Sequence, residues 1–276
     1  MTGRIPIALT IAGSDSGGGA GIQADLKSFS ANRAYGASVI TALTAQNTQG
    51  VSAIHEVPTD FVTAQIDAVF SDLDVVAVKI GMLASSEIIR AVAEGLRKWD
   101  VANIVIDPVM VTTSGDPLIA DEAVETLKSE LFPLAAVVTP NLHEAARLTN
   151  GKLAANRNEM KGQGRAILAM GTGAVLVKGG HAPVEGDAGE AADILVSRQG
   201  EEWFAAPRVD TKNTHGTGCS LSSAIAANLA NGMDIPGAVA AAKVWLTGAL
   251  KASGELAVGK GAGPVHHFHN LWPRGE

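Results

Sequence analysis

Short runs of aliphatic and β-branched residues recur along the chain, each followed by a glycine, asparagine or proline cluster and then by a stretch with apolar residues at helical spacing. Continuous apolar runs belong to strands covered on both faces, so this alternation predicts a mainly parallel sheet wrapped by helices. Strands are predicted at Ile5–Ala12, Ser38–Ala45, Val75–Ile80, Asn103–Ile106, Ala136–Thr139 and Ala174–Lys178. Helices are predicted to start after Gly19 and near Ser86, Asp121, Asn141, Asn156, Thr217 and Pro236, and in the first of them Ile22, Leu26 and Phe29 share one face. Ala192–Val196 and Glu202–Phe204, separated by Arg198-Gln199-Gly200, read as an antiparallel hairpin added to the sheet. No linker, low-complexity segment or repeat interrupts the pattern, so one domain is expected over residues 1–276.

Ligands of an open parallel sheet sit beyond the carboxyl ends of its strands. The residues following the predicted strands are therefore the candidates for chemistry, and polar and glycine residues gather there: Gly13 to Gly21, Gln46-Asn47, Gly81-Met82, Asp107-Pro108, Pro140-Asn141 and Gly179-Gly180-His181.

Composition narrows the class. An apolar fraction of 46% with only 4% aromatic residues describes a core of Ala, Val, Ile and Leu. The formal charge of -7, without a basic run, argues against a nucleic-acid groove. Ile5–Ala12 is short and runs into Ser14 and Asp15, which marks a first strand rather than a signal segment. No stretch approaches the roughly 18 apolar residues of a membrane span. Cys219 is the only cysteine, so an intrachain disulfide is impossible and a reducing cytoplasm is the expected compartment.

The Gly13–Gly21 segment lets a ligand approach the main chain closely. It lacks the lysine of a phosphate-binding Gly-x-x-x-x-Gly-Lys-Ser/Thr loop. Gly19-x-Gly21-x-x-Ala24 matches a loose dinucleotide fingerprint, but Gln46 and Asn47 stand where an acid should hold a ribose. Asn213 to Cys219 precedes a helical run, and two glycines at a helix start leave backbone N–H groups free for an anion. An ordinary glycine-containing helix entry is the plain alternative. Asp107, Asn141 and Glu144 suit Mg²⁺ shared with nucleotide phosphates, although Asn141 and Glu144 also have the spacing of a capping box. Lys178 ends an apolar strand and is costly to bury unless it meets an anion, with solvent exposure as the plain alternative.

These motifs, taken in order, resemble hydroxymethylpyrimidine/phosphomethylpyrimidine kinases of the ribokinase-like superfamily. The carriers are Ala12 to Asp15, Gly18 to Asp25, Thr44 to Thr48, Lys79 to Leu83, Thr139 to Asn141, Lys178 to His181, Gly216 to Cys219, Gly259-Lys260-Gly261 and Gly263 to His267. The resemblance implies a three-layer α/β fold, a homodimer, and Mg-ATP-dependent phosphorylation of 4-amino-5-hydroxymethyl-2-methylpyrimidine and then of its monophosphate. By the same resemblance Gly13, Asp25, Gln46, Met82 and Val109 line the pyrimidine site. Gly216, Thr217, Gly218 and Cys219 form an anion hole with Lys178 near the phosphates; Asn141, Lys178 and Lys243 serve the nucleotide, and Asp107 and Glu144 the metal. The amide of Gln46 can both donate to and accept from an aminopyrimidine edge. Cys219, at a helix N-terminus, is expected to have a lowered pKa and to act as a thiolate base in the first step. A vitamin B6 kinase of the same superfamily and a non-catalytic binding protein with this fold are the competing readings.

Overall fold

The computed structural model describes residues 4–110, 119–180 and 189–272. Among these, the strands are β1 (Ile7–Asp15), β2 (Tyr35–Asn47), β3 (Gly50–Glu56), β4 (Val75–Ile80), β5 (Ile104–Ile106), β6 (Val137–Val138), β7 (Ala174–Lys178), β8 (Glu190–Ser197) and β9 (Gly200–Pro207). The helices are α1 (Gly21–Ala31), α2 (Thr59–Phe70), α3 (Ser86–Lys98), α4 (Asp121–Thr126), α5 (Leu142–Leu148), α6 (Arg157–Leu168), α7 (Thr217–Ala230) and α8 (Ile235–Lys251).

The strands form one sheet in the order β3-β2-β1-β4-β5-β6-β7-β8-β9. The stretch from β2 to β7 is parallel, while β3 at one edge and the β8–β9 hairpin at the other run antiparallel. Period-two alternation divides the apolar residues of one strand between two cores. In β5, Ile104 and Ile106 join the core under α2 to α6, whereas Val105 joins the core under α1, α7 and α8. Leu9 and Ile11 of β1 divide from Ala8 in the same way. The second core sets the small residues Ala224, Ala226, Ala227, Ala238 and Ala242 of α7 and α8 among the larger Leu221, Ile225, Leu229, Trp245 and Leu246 of the same helices. Each fully buried Leu or Ile contributes about 1.5–3 kcal/mol, which lets an aliphatic core stand with few aromatics.

Several boundaries differ from the sequence reading. β1 continues to Asp15 and β2 to Asn47, so Gly13 and Gln46 lie in strands rather than in the loops after them. The predicted helix near Asp121 is six residues long and passes into a π turn at Leu127–Leu131 and a 3-10 turn at Phe132–Leu134. β3 and α2 were not anticipated. β3 is mostly exposed and α2 buries only Val62 and Ile66, so neither carries a strong apolar period. His181 falls outside the described residues.

Candidate active site

The carboxyl ends of β1, β2, β4, β5, β6 and β7 open into a cavity of about 670 Å³. Gly13, Gln46, Met82, Val109, Asp107, Asn141, Glu144, Lys178 and Gly216 to Cys219 all line it. A second cavity of about 520 Å³ is walled by β8, β9 and α8 residues, among them Asp193, Arg208, Lys243 and Leu250. Both cavities are lined by Lys178, Thr214, Thr217 and Gly218, so they meet at the N-terminus of α7.

No side chain caps that N-terminus, a feature it shares with α1, α2 and α4. α3, α5, α6 and α8 are capped by the side chains of Ser85, Asn141, Asn156 and Asp234, but α7 has Gly216 at its cap and no side-chain bond. Gly216 has φ 75°, and a Cβ there would lie 1.9 Å from the Gly19 carbonyl oxygen, so only glycine fits. A Cβ on Gly218 would lie 3.3 Å from Lys178 Nζ and 3.4 Å from Asp107 Oδ2. Uncapped N–H groups, the helix dipole and the lysine thus converge on one point, where they can hold an anion.

Lys178 Nζ donates to Asp107 Oδ1 at 2.8 Å, and both residues are buried. Burial lowers the affinity of Lys178 for its proton, but the charges of Asp107 and Glu144 outweigh it and raise the pKa. The capping reading of Asn141 and Glu144 holds: Glu144 Oε2 accepts the Asn141 N–H at 2.7 Å, and Asn141 Oδ1 accepts the Glu144 N–H at 2.9 Å. Capping does not exhaust Glu144. It is buried on the cavity wall, and burial pushes its pKa up to about 7, helped by the charge of Asp107 and opposed by Lys178. Among the described residues no group of three or more His, Cys, Asp or Glu side chains could cage a metal. Asp107 and Glu144 instead fit a cation such as Mg²⁺, which takes few protein ligands and completes its shell with water and phosphate.

The expectations for Asp25 and Cys219 change, and Lys243 is found already paired. Asp25 does not line the cavity but lies fully buried behind it, where both carboxylate oxygens accept from Lys79 Nζ at 2.9 Å and further bonds come from Thr10 and Ser223. Lys79 is the residue of this pair that reaches the wall, and Asp25 outweighs the effect of burial to raise its pKa. Lys243 does stand in the adjoining cavity, yet its ammonium is held by Asp193 at 2.5 Å. The lowered pKa expected for Cys219 is reversed. Although the residue is partly exposed, surrounding protein desolvates the charged form of its thiol and pushes the pKa up to about 11; Asp25 and Asp107 add to this and Lys79 only partly offsets it.

Asp15 and His215 lie within the sequence motifs but carry no role there. Asp15 Oδ2 lies 2.9 Å from His215 Nε2 and accepts the N–H groups of Gly19 and Ala20, while Oδ1 accepts that of Gly17. Burial opposes ionisation of Asp15, but the bonds from His215, Ala20 and Gly17 prevail and lower its pKa. One carboxylate therefore ties the glycine-rich segment to the loop before α7. An acid inside a glycine-rich loop was the available signal.

A family model described as "Phosphomethylpyrimidine kinase" matches residues 15–266. The hydroxymethylpyrimidine/phosphomethylpyrimidine kinase of Escherichia coli K12 is 54% identical over 265 residues, 96% of this chain and 98% of that protein. The crystal structure of a phosphomethylpyrimidine kinase from Clostridium difficile 630 is 47% identical with a TM-score of 0.78, covering 90% of this chain and 100% of that one. An ADP complex of Bacillus subtilis pyridoxal kinase is 35% identical with a TM-score of 0.88, covering 97% and 99%.

Proposed function

The chain belongs to the phosphomethylpyrimidine kinase family, and on that premise we infer that it phosphorylates 4-amino-5-hydroxymethyl-2-methylpyrimidine with ATP and then phosphorylates the monophosphate, in thiamine biosynthesis. The observation that carries this reading is the meeting of two cavities at the uncapped start of α7, beside Lys178. One cavity suits the nucleotide and the other the acceptor, with the transferred group between them.

In this reading the hydroxymethyl oxygen attacks the γ-phosphorus, a new O–P bond forms, the bond to the β-phosphate oxygen breaks, ADP leaves, and the hydroxyl proton passes to water or to the transferred phosphate as the bond forms. The N–H groups of Gly216, Gly218 and Cys219 and the ammonium of Lys178 face the charge that spreads over the phosphoryl oxygens, while the Thr217 N–H is given to the Thr214 carbonyl. Fixed donors of this kind need no reorganisation as the charge develops, and they carry most of the acceleration in phosphoryl transfer. Mg²⁺, when bound, would neutralise phosphate charge, with Asp107 and Glu144 as the residues to hold it directly or through water. Gln46, Met82, Val109 and Gly13 are proposed to hold the pyrimidine, and Asn141 and Lys243 to border the nucleotide.

Cys219 remains a protonated thiol near neutral pH. A loose phosphoryl transition state gains little from early removal of the hydroxyl proton, so the reaction does not depend on a preformed thiolate. A neutral group also leaves an anionic acceptor unopposed in the second step.

A coupled assay of ADP release with the hydroxymethylpyrimidine, its monophosphate and pyridoxal side by side tests the reading. Mg²⁺-dependent turnover of both pyrimidines is expected. Turnover of pyridoxal with neither pyrimidine accepted would overturn it in favour of a vitamin B6 kinase.

A further inference from the structure

The Gly259-Lys260-Gly261 segment has no part in the chemistry above, yet it makes one of the tightest backbone contacts in the molecule. A Cβ on Gly261 would lie 1.9 Å from the Thr48 carbonyl oxygen and 2.5 Å from the Thr48 carbonyl carbon. These are main-chain atoms, so no rotamer change relieves the clash. The Gly261 N–H donates to Thr48 Oγ1 at 3.1 Å. A Cβ on Gly259, at φ 70°, would meet Thr48 Oγ1 at 2.2 Å.

Thr48 sits at the tip of the β2–β3 hairpin, between Asn47 and Gly50, which pair across it. β3 bonds only to β2 and is an edge strand with its last five residues exposed, so the sheet alone holds this hairpin weakly. Two residues near the tip, Gln46 and Val51, face each other in the ladder and both line the acceptor cavity. Gln46 has a second tether, in which Ser16 Oγ donates to its carbonyl at 2.7 Å and accepts its N–H at 2.9 Å.

The segment that seats Thr48 continues into the loop before α7. Gly263 accepts the His215 N–H at 3.1 Å, Pro264 pairs with His215, and His267 Nε2 lies 2.9 Å from Ser220 Oγ on α7. Residues 259–267 therefore span from the hairpin tip to the helix start that holds the anion.

We propose that Thr48, seated on the Gly259–Gly261 turn, is a positioning residue: it fixes the β2–β3 hairpin so that Gln46 and Val51 hold the acceptor at the right distance from the α7 N-terminus. The inference rests on the assignment of the larger cavity to the pyrimidine. It accounts for Gly261 by close approach of main chain to main chain, for Gly259 by its positive φ and the Thr48 side chain packed against it, and for the threonine by its acceptor oxygen.

The test compares Thr48→Val, which keeps the shape and removes the acceptor, with Thr48→Ser, which restores it, and with Gly261→Ala. KM for pyrimidine and for ATP, the melting temperature and amide hydrogen exchange over residues 46–52 are measured on each. Thr48→Val is expected to raise the pyrimidine KM roughly three- to tenfold, the worth of one hydrogen bond, with the ATP KM within about twofold of the parent. Thr48→Ser should behave as the parent, and Gly261→Ala should exceed Thr48→Val. An unchanged pyrimidine KM in Thr48→Val overturns the proposal, as does a parallel rise in both KM values with a lower melting temperature. Should Gly261→Ala fail to fold, Thr48→Val decides alone. Exchange separates this inference from the functional reading: if the parent turns over no pyrimidine, that reading falls, while faster exchange over 46–52 in Thr48→Val still supports the latch and unchanged exchange removes it.

Discussion

Lys178 and Asp107 come from the ends of two strands with β6 between them, and their ion pair stands directly beneath Gly218 at the start of α7. The pair serves both stability and charge placement. Lys178→Met leaves Asp107 and Glu144 as neighbouring buried carboxyls, and removing one partner of such a pair costs about 3–5 kcal/mol. In the proposed mechanism it also removes a donor to the phosphoryl group, for which a loss of about 10²–10³-fold in kcat is expected. Urea unfolding and steady-state rates check the two effects. Adding Asp107→Asn to Lys178→Met should recover stability but not rate.

Asp25 provides the contrasting case of a pair with a structural role. Asp25→Asn leaves the fully buried Lys79 ammonium without a counter-charge. A loss of about 3–5 kcal/mol in unfolding free energy is expected, and joint replacement of Asp25 by Leu and Lys79 by Met should recover much of it. If Asp25→Asn instead kept its stability and lost only pyrimidine affinity, Asp25 would be a substrate ligand after all.

The protonated state of Cys219 has a direct readout. With its pKa pushed up to about 11, the thiol should react slowly with iodoacetamide near pH 7, and its labelling rate should still be climbing above about pH 9, where an ordinary cysteine levels off. A plateau below about pH 8 would restore the thiolate.

Acceptor charge separates the two phosphorylation steps. In the proposed arrangement Cys219→Asp places a carboxylate where the second acceptor brings a phosphate, so the variant should retain more of the first step than of the second. A repulsion of about 1.4 kcal/mol corresponds to a roughly tenfold shift in the ratio of the two rates. Equal losses would mean that the thiol is kept for packing.

His267 predicts acid sensitivity. Burial, with the charge of Lys27 next, holds its pKa down at about 3, far below the ordinary value of 6.5. The unfolded chain takes up a proton near pH 6.5 and the folded one does not, so this contribution to stability is present above that pH and is lost as pH falls toward 3. Denaturant unfolding near pH 7 and pH 5 should show the parent losing about 2 kcal/mol more than His267→Gln.

The parallel sheet was legible because its inner strands are covered on both faces. Val75–Ile80 and Ala174–Lys178 can only be strands between two layers, and their ends mark where Met82 and Lys178 stand. β3 and α2 were not legible, because an exposed edge strand and a helix resting on two buried residues leave little periodic trace. The motifs that follow or end a strand likewise identified most of the cavity wall, and Gly216 to Cys219 adds to it from the start of α7.

What the sequence alone determined is therefore the layered α/β fold, the strand ends that carry the motifs, and the family. Tertiary structure alone decided how those groups are charged and joined. Asp25 meets Lys79 across 54 residues of chain and Asp15 meets His215 across 200. Cys219 illustrates the reason. Its local position at a helix N-terminus favours the thiolate, but its proton affinity is set by desolvation and by Asp25, Asp107 and Lys79. Those groups lie on α1, after β5 and on β4, and only folding brings their fields to one sulfur.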